Sequence, residues 1–242
     1  MQNCAKEGQC LIMVWRFVYI VVAIFLVIFH GVRGSPPGSP VKCSDTTGLT
    51  NCTVSNAYGM FPDRIPCKAA FAVFPFNEKE ALEAIAMANR RMQKMRVVTR
   101  WSHSIPKLVC PGGDSGLIIS TLYLNRIIVV NTESMTITVE CGVTLRQLID
   151  AAAERGLALP HSPYWDGVTI AGLLTTGAHG SSLFGNGSAV HEYVVALKLI
   201  SPTCPEENYA RITVLTRADK DLKAAMVSLG LLGIISQVLP PA

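Results

Sequence analysis

From residue 69 onward the apolar positions switch repeatedly between alternation and three-to-four-residue spacing, the periods of strand and helix. "AAFAVFPF" (69–76) reads as a strand halted at Pro75. Asn77 then caps a helix over 77–93, where Glu80 completes a capping box and Leu82, Ile85, Ala86 and Met92 form the apolar stripe. Arg90 and Arg91 suit the negative end of that helix. "MRVVT" (95–99) is the next strand, followed by short β-branched runs at 117–120, 126–130 and 135–140. A helix is expected over 144–156, with Thr144 as N-cap and Gly156 as its stop. Residues 192–201 and 210–216 read as a hairpin pair, 218–230 as a helix beginning near Asp219, and 231–239 as a last strand. Strands and helices mix without the strict alternation of a doubly wound sheet, so the expected class is α+β. Neither an internal repeat nor a heptad pattern is present.

The first 34 residues follow a different logic. Lys6 and Arg16 precede an uninterrupted apolar run over 17–29, and "GVRGSPPGSP" comes next, with Val32 and Gly34 placed as cleavage-site neighbours. A membrane span needs roughly 20 apolar residues, so the run fits a signal peptide over 1–34, with an uncleaved signal anchor as the alternative. A secreted chain with no stable membrane span after cleavage is the expectation. Residues 35–59 are then an N-terminal, cysteine-bearing arm, and the chain is expected to stay irregular to about 66.

Composition adds modest constraints. The 242 residues are 50% hydrophobic and 16% charged, as in a globular protein. Lys6, Arg16 and Arg33 against Glu7 take +2 of the formal charge of +4, and the +2 left is too weak and scattered for nucleic-acid binding. Cys43, Cys52, Cys67, Cys110, Cys141 and Cys204 lack the paired spacing of a zinc site, and no metal is expected. A disulfide among the first three could pin the arm, although spacing leaves the pairing open. "NCT" at Asn51 and "NGS" at Asn186 are glycosylation sequons.

Two stretches carry candidate chemistry. In "DGVTIAGLLTTGAHGSSLFGNGSAVHEYV", Gly167, Gly172, Gly177, Gly180, Gly185 and Gly187 recur among Thr175, Thr176, Ser181 and Ser182. Glycine at that density lets backbone N–H groups approach a diphosphate, and hydroxyls add donors; a flexible surface loop is the competing reading. The stretch is neither a Walker loop nor a Rossmann fingerprint, because it lacks GK[ST] and an early strand followed by G-x-G-x-x-G. Upstream, "VVTRWSHSIPKL" (97–108) breaks from a strand into a polar loop with His103 between two serines. That histidine is either a cofactor attachment point, needing one unprotonated ring nitrogen near the cofactor, or an ordinary loop residue. His161 reads as a loop residue, His191 as a surface or supporting group, and Glu140 as solvated or structural.

These two stretches, together with "LGLLGIISQV" downstream, resemble the FAD-binding PCMH-type domain of the vanillyl-alcohol-oxidase superfamily, and within it the plant L-gulonolactone oxidase-like proteins. The likeness covers about residues 43–239. It implies an FAD lying between two α+β subdomains, here about 60–132 and 133–240. By the same likeness Arg100, Trp101, Ser102, His103 and Ser104 would wrap the diphosphate and approach the flavin, with His103 where many relatives bond the flavin covalently. Gly172, Thr176, Gly177, His179, Gly180, Ser181 and Ser182 would add backbone and hydroxyl contacts. Gly142 would open the turn by the second subdomain, and Gly233 and Ile234 would contact the cofactor through main-chain groups.

The resemblance further implies oxidation of a sugar lactone such as L-gulono-1,4-lactone toward ascorbate, with dioxygen as acceptor. Such relatives carry a C-terminal substrate domain with an HWxK-type motif. This sequence has no HW pair, so that domain is expected to be absent and no catalytic residue is named. A fragment of a full oxidase, an inactive truncated form and a secreted non-enzymatic binding module all remain open on the sequence.

Overall fold

The computed structural model describes residues 38–45, 49–55, 67–99, 109–112, 115–160, 162–181 and 187–240. Within them are two five-stranded sheets; one buried cluster joins them, and a second lies on the first sheet around Cys52, Val54, Cys67, Ala72, Val98 and Ile118. The first has the order β1-β2-β3-β5-β4, built from β1 (Val41–Cys43), β2 (Thr50–Val54), β3 (Cys67–Val73), β4 (Met95–Val98) and β5 (Leu117–Ser120). Strands β1, β2 and β3 pair antiparallel, whereas β5 runs parallel to both β3 and β4. The second sheet, β6-β7-β10-β8-β9, is antiparallel throughout and contains β6 (Ile127–Asn131), β7 (Thr136–Glu140), β8 (Ala196–Pro202), β9 (Ala210–Thr216) and β10 (Ile234–Leu239). The class is α+β, as the mixed pattern implies.

The hydrophobic periods place most elements well. Helix α1 (Glu78–Arg90) starts at Asn77, whose side chain accepts from Glu80 N at 2.9 Å while Glu80 accepts from Asn77 Nδ2 and Phe76 N. Helix α2 (Leu145–Ala153) has the reciprocal bonds of a capping box between Thr144 and Gln147. The antiparallel register of β8 on β9, Ala196↔Thr216 to Pro202↔Ala210, is the expected hairpin. A short α3 (Ile170–Thr175) begins the glycine-rich stretch, and α4 (Asp221–Met226) precedes β10.

Three expectations need correction. Residues 41–54, read as irregular, form β1 and β2, which complete the antiparallel side of the first sheet. The stripe of α1 is Ala81, Ala84, Ile85 and Ala88; Leu82 and Ala86 are half-buried, and Met92 is 92% exposed because the helix has already ended at Arg90. The fourth helix is shorter than 218–230, since Leu229 and Gly230 both turn left-handed and Asp219 accepts from Thr216 N and Oγ1 instead of joining the helix. The chain passes from the first sheet to the second between Ser120 and Ile127.

Helix α1 lies in the shared core. Its small residues Ala81, Ala84 and Ala88 pack in one cluster with Leu117 and Ile119 of the first sheet and Leu197, Leu199, Leu215 and Ile235 of the second. Polar ties reinforce the second contact: Asn89 Nδ2 donates to Thr203 O and Tyr209 O, while Glu78 accepts from Lys198 Nζ and Ser236 Oγ.

Disulfides join Cys43 to Cys52 and Cys67 to Cys110. The first links a cross-strand pair of β1 and β2 that the register already places opposite each other. Cys141 and Cys204 are free, the former buried and the latter exposed. Burial pushes the Cys141 thiol up to about 12, with the neighbouring Glu140 charge adding to it. An alkylating reagent at neutral pH is therefore expected to label Cys204 in the folded protein and Cys141 only after denaturation, read by peptide mass mapping.

Candidate functional site

The site is built where the strand ends of both sheets meet. Val98 closes β4 and accepts from Thr121 N at 3.0 Å just past β5. The chain then turns at Thr121–Leu124 with Leu124 N donating to Thr121 O at 3.1 Å, and Gly142 N returns to Leu124 O at 2.7 Å. A β-carbon on Gly142 would collide with the carbonyl oxygens of Thr121 and Leu124, so only glycine lets β7 end against this turn. Beside it the Glu140 carboxylate, 3% exposed, accepts from Arg126 Nε at 3.0 Å, Nη2 at 2.6 Å and the backbone N at 2.8 Å. Glu140 is structural rather than solvated: it fixes the start of β6 to the end of β7.

The segment entering the glycine-rich stretch docks onto the same place. Leu145 N donates to Val168 O and Arg146 N to Asp166 O, both at 2.9 Å, and the Arg146 and Asp166 side chains form an ion pair. Ile170 N donates to Val143 O and Ala171 N to Cys141 O, which starts α3 directly on the end of β7. Thr169 caps α3, its Oγ1 accepting from Gly172 N at 3.2 Å. A β-carbon at Gly172 would lie 3.0 Å from that oxygen, 3.3 Å from Val168 Cγ1 and 3.5 Å from Thr99 Cγ2. Thr99 immediately precedes residues 100–104. Two motifs more than seventy residues apart are therefore adjacent.

Helix α3 ends in a Schellman motif: Gly177 N donates to Leu174 O at 3.0 Å, Ala178 N donates to Leu173 O at 2.9 Å, and Gly177 takes φ +66°. The hydroxyls of Thr175 and Thr176 donate to Ala171 O (2.8 Å) and Gly172 O (2.7 Å), so each has spent its one proton within the helix and can only accept from a ligand. Beyond the helix, Gly180 N donates to Ser188 O at 2.8 Å and His179 pairs with Ala189, which ties residues 179–180 to 188–189. His179 and Ser181 are exposed, and His179 Nδ1 lies 3.1 Å from Gly180 O.

The downstream motif forms the third side. Leu229 N donates to Thr175 O at 2.9 Å, and Val227 Cγ1 lies 3.5 Å from the space beside Gly177. Gly233, at φ +141°, passes directly over Ile200 O, where a β-carbon has no room. Ile234 then starts β10 opposite Ile200 with its side chain buried. Val227, Leu229, Leu231 and Leu232 remain well exposed along this side.

The structure thus places Gly142 and Gly172 where the end of β7 meets α3, Thr176, Gly177, His179, Gly180 and Ser181 at and beyond the end of α3, and Gly233 and Ile234 at the start of β10. Arg100, Trp101, Ser102, His103, Ser104 and Ser182, and with them His161, lie outside the described residues. Ser228 was not singled out by sequence reasoning: its buried hydroxyl has no hydrogen-bond partner among the described residues, and the next residue, Leu229, is the one bonded to Thr175 O. Its only signal was membership of the "SLGLLG" run. An orphaned buried hydroxyl, exposed apolar side chains and glycine-lined backbone fit a large planar ligand with a polar tail.

Comparison with known proteins agrees. The FAD binding domain family profile matches residues 69–204. The chain is 50% identical over 226 residues to the probable L-gulonolactone oxidase 6 of Arabidopsis thaliana, covering 93% of this chain and 37% of the relative. It is 52% identical over 213 residues to L-gulonolactone oxidase 2 of the same plant (87% and 36%), and 32% identical over 186 residues to the L-gulono-1,4-lactone dehydrogenase of Mycobacterium tuberculosis strain H37Rv (76% and 40%). The chain therefore spans well under half the length of these relatives. Among solved structures, an alkyldihydroxyacetonephosphate synthase matches with TM-score 0.62 at 18% identity, covering 72% of this chain and 34% of the other. A solvent-stable cholesterol oxidase matches with TM-score 0.62 at 15% identity, covering 85% and 37%. At those identities the two structures speak for the fold alone.

Proposed function

Because the chain belongs to the FAD binding domain family, we propose that it supplies the flavin-holding part of an enzyme that oxidises a sugar lactone, with L-gulono-1,4-lactone as the model substrate. The observation that supports this most directly is that Thr99, at the end of β4, meets Gly172 at the start of α3, while Leu229 and Val227 meet Thr175 and Gly177 at its other end. The L-gulonolactone oxidase names of relatives at about half identity support the substrate class.

FAD is the cofactor, and when bound it supplies two-electron oxidising chemistry. The chain's own residues bind and orient it. Residues 100–104 and the glycine-rich stretch line the diphosphate side, with His103 as the covalent attachment point, and Gly233 and Ile234 contribute main-chain groups. Thr176 and Ser181 stand exposed as polar partners, and Ser228 adds a hydroxyl from the third side. The apolar side chains of Val227, Leu229, Leu231 and Leu232 exclude water along that edge. Dioxygen as acceptor, an ascorbate-type product, secretion through the 1–34 leader and N-glycosylation complete the proposal.

The test is to express the full chain with FAD and record the flavin spectrum before and after denaturation. Bound flavin that stays with the unfolded polypeptide in the parent and leaves it in His103→Ala is the expected result. A chain that takes up no flavin overturns the reading. Lactone-dependent peroxide formation, measured on the same preparation, reports the substrate and acceptor separately.

A further inference from the structure

The hairpin of β1 and β2 combines two chemistries at one turn. Asn51 opens the sequence Asn51-Cys52-Thr53, an acceptor pattern for N-linked glycan, and Cys52 within it is bonded to Cys43. Asn51 and Thr53 are exposed, whereas Cys52 is 1% and Val54 3% exposed, so the two acceptor residues share the outer face of the first sheet. A glycan carried there meets solvent, and the sheet folds beneath it.

The closed hairpin is a poor acceptor all the same. Asn51 is held in the left-handed region at φ +48°, its Nδ2 donates to Ser44 Oγ at 2.8 Å, and Thr53 Oγ1 donates to Lys42 O at 3.4 Å. Strand β2 is paired on both sides, to β1 and to β3. An Asn amide and a Thr hydroxyl engaged in this way are not free to be drawn into a transferase. The disulfide locks that state, because its sequence separation is only 9.

We propose that Asn51 is a glycan acceptor whose occupancy is decided by a race between glycan transfer and closure of Cys43–Cys52. The inference rests on the reading that residues 1–34 direct the chain into the secretory pathway. In transfer, Asn51 Nδ2 bonds to the first sugar carbon of a lipid-linked oligosaccharide; the sugar–diphosphate bond breaks, the lipid diphosphate leaves and Nδ2 gives up a proton. In closure, the two thiols pass two electrons and two protons to an oxidised disulfide of the compartment's exchange enzymes, which becomes a dithiol. Chains emerge at about 5–20 residues per second, so both cysteines are present within about a second of each other. Oxidation takes seconds or longer. Both outcomes are therefore open to each molecule.

The full chain, leader included, is to be translated in the presence of endoplasmic-reticulum microsomes and resolved with and without an N-glycosidase. The parent is expected to give a mixture of glycosylated and unglycosylated Asn51, and both N51Q and T53A to lose the Asn51-dependent slower band. Cys43→Ser, and separately a reductant present during translation of the parent, should shift the mixture toward that band. These readouts precede folding, so a variant that folds poorly still answers. A chain left open to added protease defeats the secretory reading and this proposal together. A protected chain whose band ratio is the same in the parent, in Cys43→Ser and under reductant overturns the proposal alone.

Discussion

Gly233→Ala is expected to lower the melting temperature of the purified protein by roughly 4–24 °C and to abolish flavin uptake. Two costs add. The backbone at φ +141° is open to glycine and closed to alanine, a strain of about 1–3 kcal/mol. The new methyl would also collide with Ile200 O and lie 2.9 Å from Ile200 C, forcing apart the β8–β10 pair at Ile200↔Ile234 for about 1–3 kcal/mol more. At about 2–4 °C per kcal/mol for a chain of this size, that sum gives the range stated. Gly230→Ala is the control. Gly230 is also left-handed, at φ +68°, but a β-carbon there meets nothing within 4 Å, so only the dihedral penalty of about 1–2 kcal/mol applies. Equal losses in the two variants would show that the collision with Ile200 does not matter.

The paired change Cys67→Ser with Cys110→Ser is expected to cost about 4 kcal/mol, a fall of roughly 8–16 °C in melting temperature. The bond closes a sequence separation of 43, and the entropy returned to the unfolded chain grows with the logarithm of that length. Removing Cys43–Cys52, with a separation of 9, should cost about 2.5 kcal/mol on the same basis. The two pairs differ more in consequence than in energy. Cys110 adjoins buried Val109 at the far end of the segment that leaves β4 at Thr99. Losing Cys67–Cys110 therefore frees one end of the stretch containing His103, and in a His103→Ala background, where the flavin is untethered, flavin should dissociate faster from that variant than from the Cys43–Cys52 variant. Stopped-flow flavin fluorescence after dilution measures the difference, and equal rates would separate the disulfide from cofactor binding.

Much of this architecture was legible because its signals are local. The Asn77–Glu80 and Thr144–Gln147 caps, and the β8–β9 alternation, each depend on residues within a turn or a hairpin of one another. The arm was misread because β1 contributes only three residues and β2 five, too few for alternation to register; pairing to β3 makes them strands. Met92 fits the apolar period of α1 but falls beyond its last turn, and periodicity says nothing about where a helix stops. Within the candidate site, the glycines serve mixed purposes. Gly142 and Gly233 are demanded by close backbone approach and Gly177 by a helix end, while the Thr175 and Thr176 protons expected for phosphate go to α3 itself. Ser228 could not be found from sequence, because an unpartnered hydroxyl is visible only when its surroundings are known.

The position of α1 also sets an order of events during synthesis. Its N-terminal neighbour β3 and its successor β4 emerge early, yet Asn89 waits for Thr203 and Tyr209, and Glu78 for Lys198 and Ser236, partners 114 to 158 residues downstream. Until β10 has left the ribosome, Ala81, Ile85 and Ala88 have only part of the surface that buries them. The inner face of α1 is thus left half-covered until the second sheet is complete, a stage in which chaperones have an apolar helix face to grip. Splitting the coding sequence between the two sheets should accordingly yield two insoluble pieces rather than two small domains.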